Sequence, residues 1–378
     1  MVRTLLRLAA LGGAAIIMIV LVPLGAVGAH SHTHAQSASA QFTVVATGLN
    51  NPRGLTFGPD GNLYVDEGGL GGTQSTTPAQ CMQVPAAGPY TGGFTSRISK
   101  ISSNGDRTTV IDHLPSSQTN PALGGLTSGV SDVQFIDGTL YGMEAGAGCS
   151  HGLLKTNNTI FRVNSDGTRT NIANLRAFLK AHPVANPDTG DFEPDGTWYG
   201  MVEVNDVIYA TEPNHQELDR ITRSGHISRV VDLSTMFVPP NNWQGPTGIV
   251  YHNGNFYIGT LGTFPVSPGA QNLYKITPDG NVTVVASGLT AVLGVAFDAK
   301  GHLYALETDT VAGFPGPTAV GSGQVVRVNN DGSLTTIATG LTFPTAMTID
   351  PDGDDLYVSN NGFGIPVPGA GQIVRIDL

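Results

Sequence analysis

The chain has 378 residues, enough for one large domain or two ordinary ones, so length alone does not choose an architecture. Its 50 glycines and 24 prolines accompany 40% hydrophobic residues, a turn-rich composition that still supplies a core and fits an all-β protein. Charged residues make up 12% and the formal net charge is -11, which argues against nucleic acid as a partner because a polyanion would be repelled.

From the N-terminus, Arg3 and Arg7 precede an uncharged apolar run from Leu8 to Val27, the pattern of an export signal over residues 1–29. Val27 and Ala29 supply the small residues that a signal peptidase reads before His30, and Ala38 and Ala40 supply a second site. The competing reading is an uncleaved anchor, since the run approaches the ~20 residues that span a bilayer. Both readings put the rest of the chain outside the cytoplasm, secreted or periplasmic, with no other membrane segment. Cleavage at the first site would leave His30 and His32 at a mature N-terminus, where nitrogen ligands can hold copper or nickel; the plainer reading makes residues 30–41 a disordered tether.

Residues 42–378 contain a repeat. The segments at 63–69, 140–146, 208–214, 256–262, 303–309 and 356–362 align on Tyr64, Tyr141, Tyr209, Tyr257, Tyr304 and Tyr357. Each follows an apolar strand and a tight turn, and each precedes a further apolar hairpin, as in TIFRVNSDGTRTNI and QVVRVNNDGSLTTIA. Four strands per unit, six times over, predict a six-bladed β-propeller. The last unit stops one strand short at GQIVRIDL, while FTVVAT at 42–47 matches VTVVAS at 282–287. The N-terminal strand is therefore expected to complete the last blade and close the ring, which removes an exposed sheet edge.

The connections divide by length. Short Asp-Gly, Asn-Gly and Asn-Asp turns occupy one face of the propeller. The long segments, 67–96, 114–130, 144–158, 174–198, 232–246, 261–271, 309–323 and 361–371, occupy the other, and a binding face is expected there. Cys81 and Cys149 lie in long segments of adjacent blades, and an oxidising compartment would allow them to form a disulfide. His151 and His215 lie on the same face, where a loop histidine is ordinarily solvated or bonded locally; they are the weaker ligand candidates.

Three residues after each aligned tyrosine stand Glu67, Glu144, Glu212, Thr260, Glu307 and Asn360. Such a ring could bind a calcium or other divalent cation in the central channel. The alternative, preferred here, is one structural bond per blade to local backbone N–H groups. At the start of the innermost strands the aligned residues are Gly54, Asp132, Gly200, Gly248, Gly294 and Ala346, and Asp132 alone breaks the rule of small residues. Arg53 and Tyr199 precede two of these positions. Arg53 and Asp132, from adjacent blades, are expected to form an ion pair across the channel; unpaired, they and Tyr199 become the leading ligand contacts.

No hydrolase-triad, zincin or nucleotide motif is present. TEPNHQELDRI at 211–221 resembles the NHL-repeat pattern, in which the residue at the Glu212 position is structural. Over most of residues 42–378 the succession GLNNPRGLTFGPDGNLYV, CMQVP, GGFTSRISKI, HLPSS, SGVSDVQFIDGTLYG and GPTGIVYHNGNFYIGTLGTFPV resembles the ScyD/ScyE family of exported bacterial proteins. That resemblance implies a periplasmic or secreted propeller and carries no catalytic residues with it. Six-bladed lactonases, the enzymatic comparison, hold their metal with Glu, Asn and Asp at inner-strand ends, and the glutamates here stand at a different register. The leading expectation is a binding or scaffold propeller that presents a small-molecule or protein site on the long-loop face. The alternative is a metal-dependent hydrolase or lyase of the lactonase type.

Overall fold

A computed structural model describes residues 42–238, 243–313, 318–364 and 367–378. The predicted signal segment, the tether, His30 and His32 lie outside the described residues.

The described chain is a six-bladed β-propeller of antiparallel sheets. Blade 2 shows the plan: Val130–Ile136 starts at the channel, and Thr139–Glu144, Thr159–Val163 and Arg169–Asn174 follow outward. Blade 6 consists of Ala346–Ile349, Asp355–Asn360 and Gly371–Asp377, and its outer strand is Thr43–Leu49 from the other end of the domain. The closing pairing runs from Thr43 opposite Arg375 to Leu49 opposite Gly371, as the repeat predicts.

The core is divided among the blade interfaces. Ile98, Ile111 and Leu114 of blade 1 meet Val130, Val133 and Phe161 of blade 2, and equivalent buried clusters fill the other five interfaces. A sheet sandwiched between two others must be apolar on both faces, which is why these strands lack a clean polar alternation. Several of the aligned tyrosines pack edge-on or tilted against an aromatic ring of the following blade: Tyr64 on Phe135 at 4.9 Å, Tyr209 on Phe256 at 4.5 Å, Tyr257 on Phe297 at 4.9 Å and Tyr357 on Phe57 at 5.1 Å between ring centres.

The short turns divide into two kinds. At 137–138, 205–206 and 253–254 both central residues have positive φ, the two-residue hairpin geometry that twists with the strands. At Asp166 and Asp331 the aspartate instead accepts the N–H of Thr168 and of Ser333, each at 3.0 Å, and only the following glycine takes positive φ.

Blade 1 departs from the plan. Its outer strands, Thr91–Ile101 and Arg107–Gln118, run well beyond the repeat and gain two short additions, Gln74–Ser75 and Thr127–Ser128. The segment 174–198, read from sequence as a loop, begins with the short helix Leu175–Ala181. Its first turn is capped by the Asn174 side chain, which accepts the N–H of Ala177 at 3.0 Å, while Leu175, Phe178 and Leu179 are buried.

Candidate binding site at the long-loop mouth of the channel

The inner strands converge so closely that their first residues have no room to grow. A Cβ on Gly248 would stand 2.7 Å from the Cα of Gly294, and one on Gly200 would stand 2.7 Å from the carbonyl oxygen of Thr247. Hydroxyls tie adjacent blades at this level: Thr211 to the Thr247 carbonyl, Thr247 to that of Val292, Thr345 to that of Pro52 and Ser359 to that of Arg53, each at 2.6 Å.

Asp132 belongs to this bracing. Its carboxylate accepts the N–H of Met201 in blade 3 at 2.7 Å and that of Val133 at 2.8 Å, and burial pushes its pKa up to about 7. The expected ion pair with Arg53 does not form. The Arg53 guanidinium instead donates to the Thr127 carbonyl oxygen and lies 5.6 Å from the centre of the Phe363 ring, on the long-loop side. The physical reason is Tyr199. Its hydroxyl donates to the Thr345 carbonyl oxygen at 2.7 Å, a bond from blade 3 to blade 6 on the opposite side of the ring. Arg53 lines a chamber on one side of this crossbar and Asp132 a chamber on the other, while Tyr199 lines both. Asp66, which sequence reasoning passed over, is fully buried near Arg53, and burial, reinforced by the charge of Asp132, holds its carboxyl well above the usual range. The signal was available: Asp66 stands in strand register with Thr211 and Ser359, so it is a carboxyl at a bracing-hydroxyl position.

The acidic and amide ring is buried, and its members turn to their own blades. Glu67 accepts the N–H of Asn50 at 2.7 Å and the hydroxyl of Ser99 at 2.6 Å, with Arg107 Nε at 3.2 Å. Glu212 accepts the N–H groups of Thr197, at 2.7 Å, and of His215. Glu307 accepts the N–H of Thr290 and the Gln324 amide, and Asn360 accepts the N–H of Thr342 at 2.8 Å. Glu144 meets Arg169 at 3.3 Å and the N–H of Gly146 at 3.3 Å, and burial pushes its pKa up to about 7 despite that arginine. Glu67, Glu212, Glu307 and Asn360 thus each accept an N–H just before an inner strand, whereas Glu144 accepts one just after its own strand. Among the described residues no group of three or more His, Cys, Asp or Glu is placed to hold a metal ion.

On the long-loop side, the chamber above Tyr199 has a volume of about 340 Å³. Trp198, Tyr199, Trp243, Phe264, Phe363 and Leu126 are among its wall residues, and Arg53, Asp188, Asp191 and Glu193 are its charged groups. The wall is stiffened from outside. Cys81 and Cys149 form the expected disulfide, which pins segment 67–96 to segment 144–158, and the Thr76 hydroxyl donates to the Cys149 carbonyl oxygen at 2.6 Å beside it. His151 and His215 are buried and locally bonded. His151 Nδ1 lies 2.8 Å from Ser117 Oγ and its Nε2 3.3 Å from the Gly196 carbonyl oxygen, while His215 Nε2 lies 2.9 Å from the Glu193 carbonyl oxygen. Both histidines thus anchor segment 174–198 to the blades. The acidic and aromatic groups of the chamber escaped sequence reading because they stand in loops outside the repeat, where no register exists.

Neither a protein-family model nor a curated protein sequence matches the chain. Solved structures do. A Bacteroides thetaiotaomicron protein of unknown function is 12% identical with a TM-score of 0.54, over 89% of this chain and 72% of that one. A Thermus thermophilus protein assigned as an oxidoreductase of the glucose dehydrogenase type is 15% identical with a TM-score of 0.52, over 89% and 99%. An assigned gluconolactonase is 13% identical with a TM-score of 0.50, over 90% and 92%. At these identities the likeness is one of fold. It carries no activity across, since propellers of one shape hold unrelated sites.

Proposed function

We propose that this chain is an exported propeller, similar to the ScyD/ScyE family, that binds a small and largely apolar molecule in the chamber above Tyr199. The observation that carries this reading is a cavity of about 340 Å³, lined by aromatic and aliphatic side chains together with a set of polar groups, at the mouth where the long loops converge. The disulfide and the buried anchors of segment 174–198 support it, because preformed walls lower the entropic cost of binding. The disulfide is also the pairing expected of an exported protein. Mass spectrometry under native conditions tests the reading: a small molecule that co-purifies with the intact chain should be lost from Trp243→Ala or Phe264→Ala protein. Retention of that molecule by both variants would refute the assignment of the chamber.

The rival reading, a metal-dependent hydrolase or lyase, requires oxygen ligands that converge in the channel. The ring carboxylates spend their oxygens on backbone N–H groups and arginines of their own blades instead. Elemental analysis of purified protein decides between the two. One tightly held divalent ion per chain, lost on Glu67→Gln with Glu212→Gln, would establish the rival.

A further inference from the structure

The charged groups of the chamber are unevenly matched. Arg53 is the only basic side chain among the described lining residues, and it is already engaged by the Thr127 carbonyl oxygen and the Phe363 ring, with Asp66 close by. The acids are met by neutral donors: Asp188 accepts the N–H of Gly190 at 2.9 Å. Asp191 is met by the amide of Asn214 at 3.1 Å, and Asp188 and Glu212 are the charges nearest it. Glu193 is 2% exposed; its Oε1 accepts the Tyr90 hydroxyl at 2.6 Å, while its Oε2 has no hydrogen-bond partner among the described residues. His151 Nε2 lies 3.7 Å from that oxygen, beyond hydrogen-bond distance, and burial holds the His151 pKa below its usual value. Around Glu193 stand Asp191, Glu212 and Asp195, and of these Asp195 is neutralised by Arg176.

We propose that the chamber selects an organic cation, an ammonium group on an apolar body, whose charge lies against Asp191 and Glu193 and whose body lies among Trp243, Phe264 and Tyr199. This proposal deepens the binding reading above and rests on it. A carboxylate that lines an apolar chamber with no cationic partner is costly unless it is protonated or a cation arrives, and aromatic faces attract the same cation through their ring quadrupoles. An organic body fits the aromatic and aliphatic part of the wall, and among the described residues no three acids are grouped to hold a bare metal ion.

Cation binding also drives ionisation of the acids. Burial first, and then Asp188, push the Asp191 pKa up to about 7, and burial together with Asp191 holds Glu193 well above the usual carboxylate range. A site that needs Asp191 ionised is about one-tenth competent at pH 6 and about nine-tenths at pH 8, so affinity should rise about tenfold between them.

The test titrates the full exported chain with benzyltrimethylammonium, benzyl alcohol and benzoate, followed by intrinsic fluorescence. Both tryptophans of the sequence, Trp198 and Trp243, line the chamber and report directly. The cation should bind at least tenfold tighter than the alcohol at pH 8, benzoate should bind weakest, and cation affinity should fall about tenfold at pH 6. Asp191→Asn and Glu193→Gln, separately, should each remove most of that preference while leaving alcohol binding within about twofold. Equal binding of alcohol and cation, or a preference that survives both substitutions, overturns the cation proposal and leaves the chamber as a binding site. No response to any of the three probes overturns both.

Discussion

Asp132→Ala, Arg53→Ala and the double change test whether the channel is organised as the contacts indicate. Asp132 gives its carboxylate to two backbone N–H groups, one of which, at Met201, belongs to the next blade. Removal of an acceptor from a buried N–H costs about 1–3 kcal/mol, so Asp132→Ala should destabilise by about 2 kcal/mol at pH 6, where the acid is mostly protonated and little charge is lost with it. An ion pair with Arg53 would cost more, about 3–5 kcal/mol, because the arginine would be stranded, and the double change would recover part of that loss. The two side chains form no ion pair but share Asp66 and Tyr199 as neighbours, so their coupling should stay below about 1 kcal/mol. Urea denaturation of the four proteins at pH 6 measures the cycle. A coupling energy above about 1 kcal/mol would refute this account of the channel.

Other outcomes follow from the same contacts. Gly54→Ala would bring a Cβ to 2.1 Å from the Asp132 carboxylate and 2.6 Å from its Cα; it should cost about 1–3 kcal/mol in denaturant titrations, and Asp132→Ala should relieve that only in part because the backbone contact remains. The disulfide spans 68 positions, and the loop-entropy relation predicts that Cys81→Ser with Cys149→Ser lowers stability by about 4 kcal/mol at most; unfolded, unreduced wild-type protein should titrate no free thiol. Stability should fall as pH rises from 5 to 8. Asp132, Glu144, Asp191 and Glu217 are each pushed up to about 7 in the folded state, mainly by burial, so the native chain holds more protons than the unfolded chain across that window. His151, whose folded pKa is lowered, opposes this below about pH 6.5 but is one group against four. Asp132→Asn should flatten the slope measured by urea denaturation at each pH, and a stability that climbs through the window would contradict the assignment.

Much of this architecture is legible in the sequence because a propeller repeats a local instruction. The aligned tyrosines and their hairpin turns give six four-stranded units, and the match between residues 42–47 and 282–287 gives the closing strand without any knowledge of distant contacts. The division into a short-turn face and a long-loop face follows from connection length, and the partners Cys81 and Cys149 follow from their places in neighbouring units. The register of the acidic and amide ring was legible for the same reason, and four of its members accept a backbone N–H just before an inner strand. Tertiary structure alone decided what crosses between blades. The Tyr199 hydroxyl reaches the Thr345 carbonyl oxygen over 146 positions, and that single crossbar separates Arg53 from the aspartate with which blade alignment would pair it. Tyr90 and Glu193 meet over 103 positions, from two loops that share no register with the repeat or with each other. Period and turn chemistry act over neighbouring residues and so can be read along the chain, whereas the charge balance of the chamber depends on where long loops come to rest on a closed ring, which only the packing of all six blades determines.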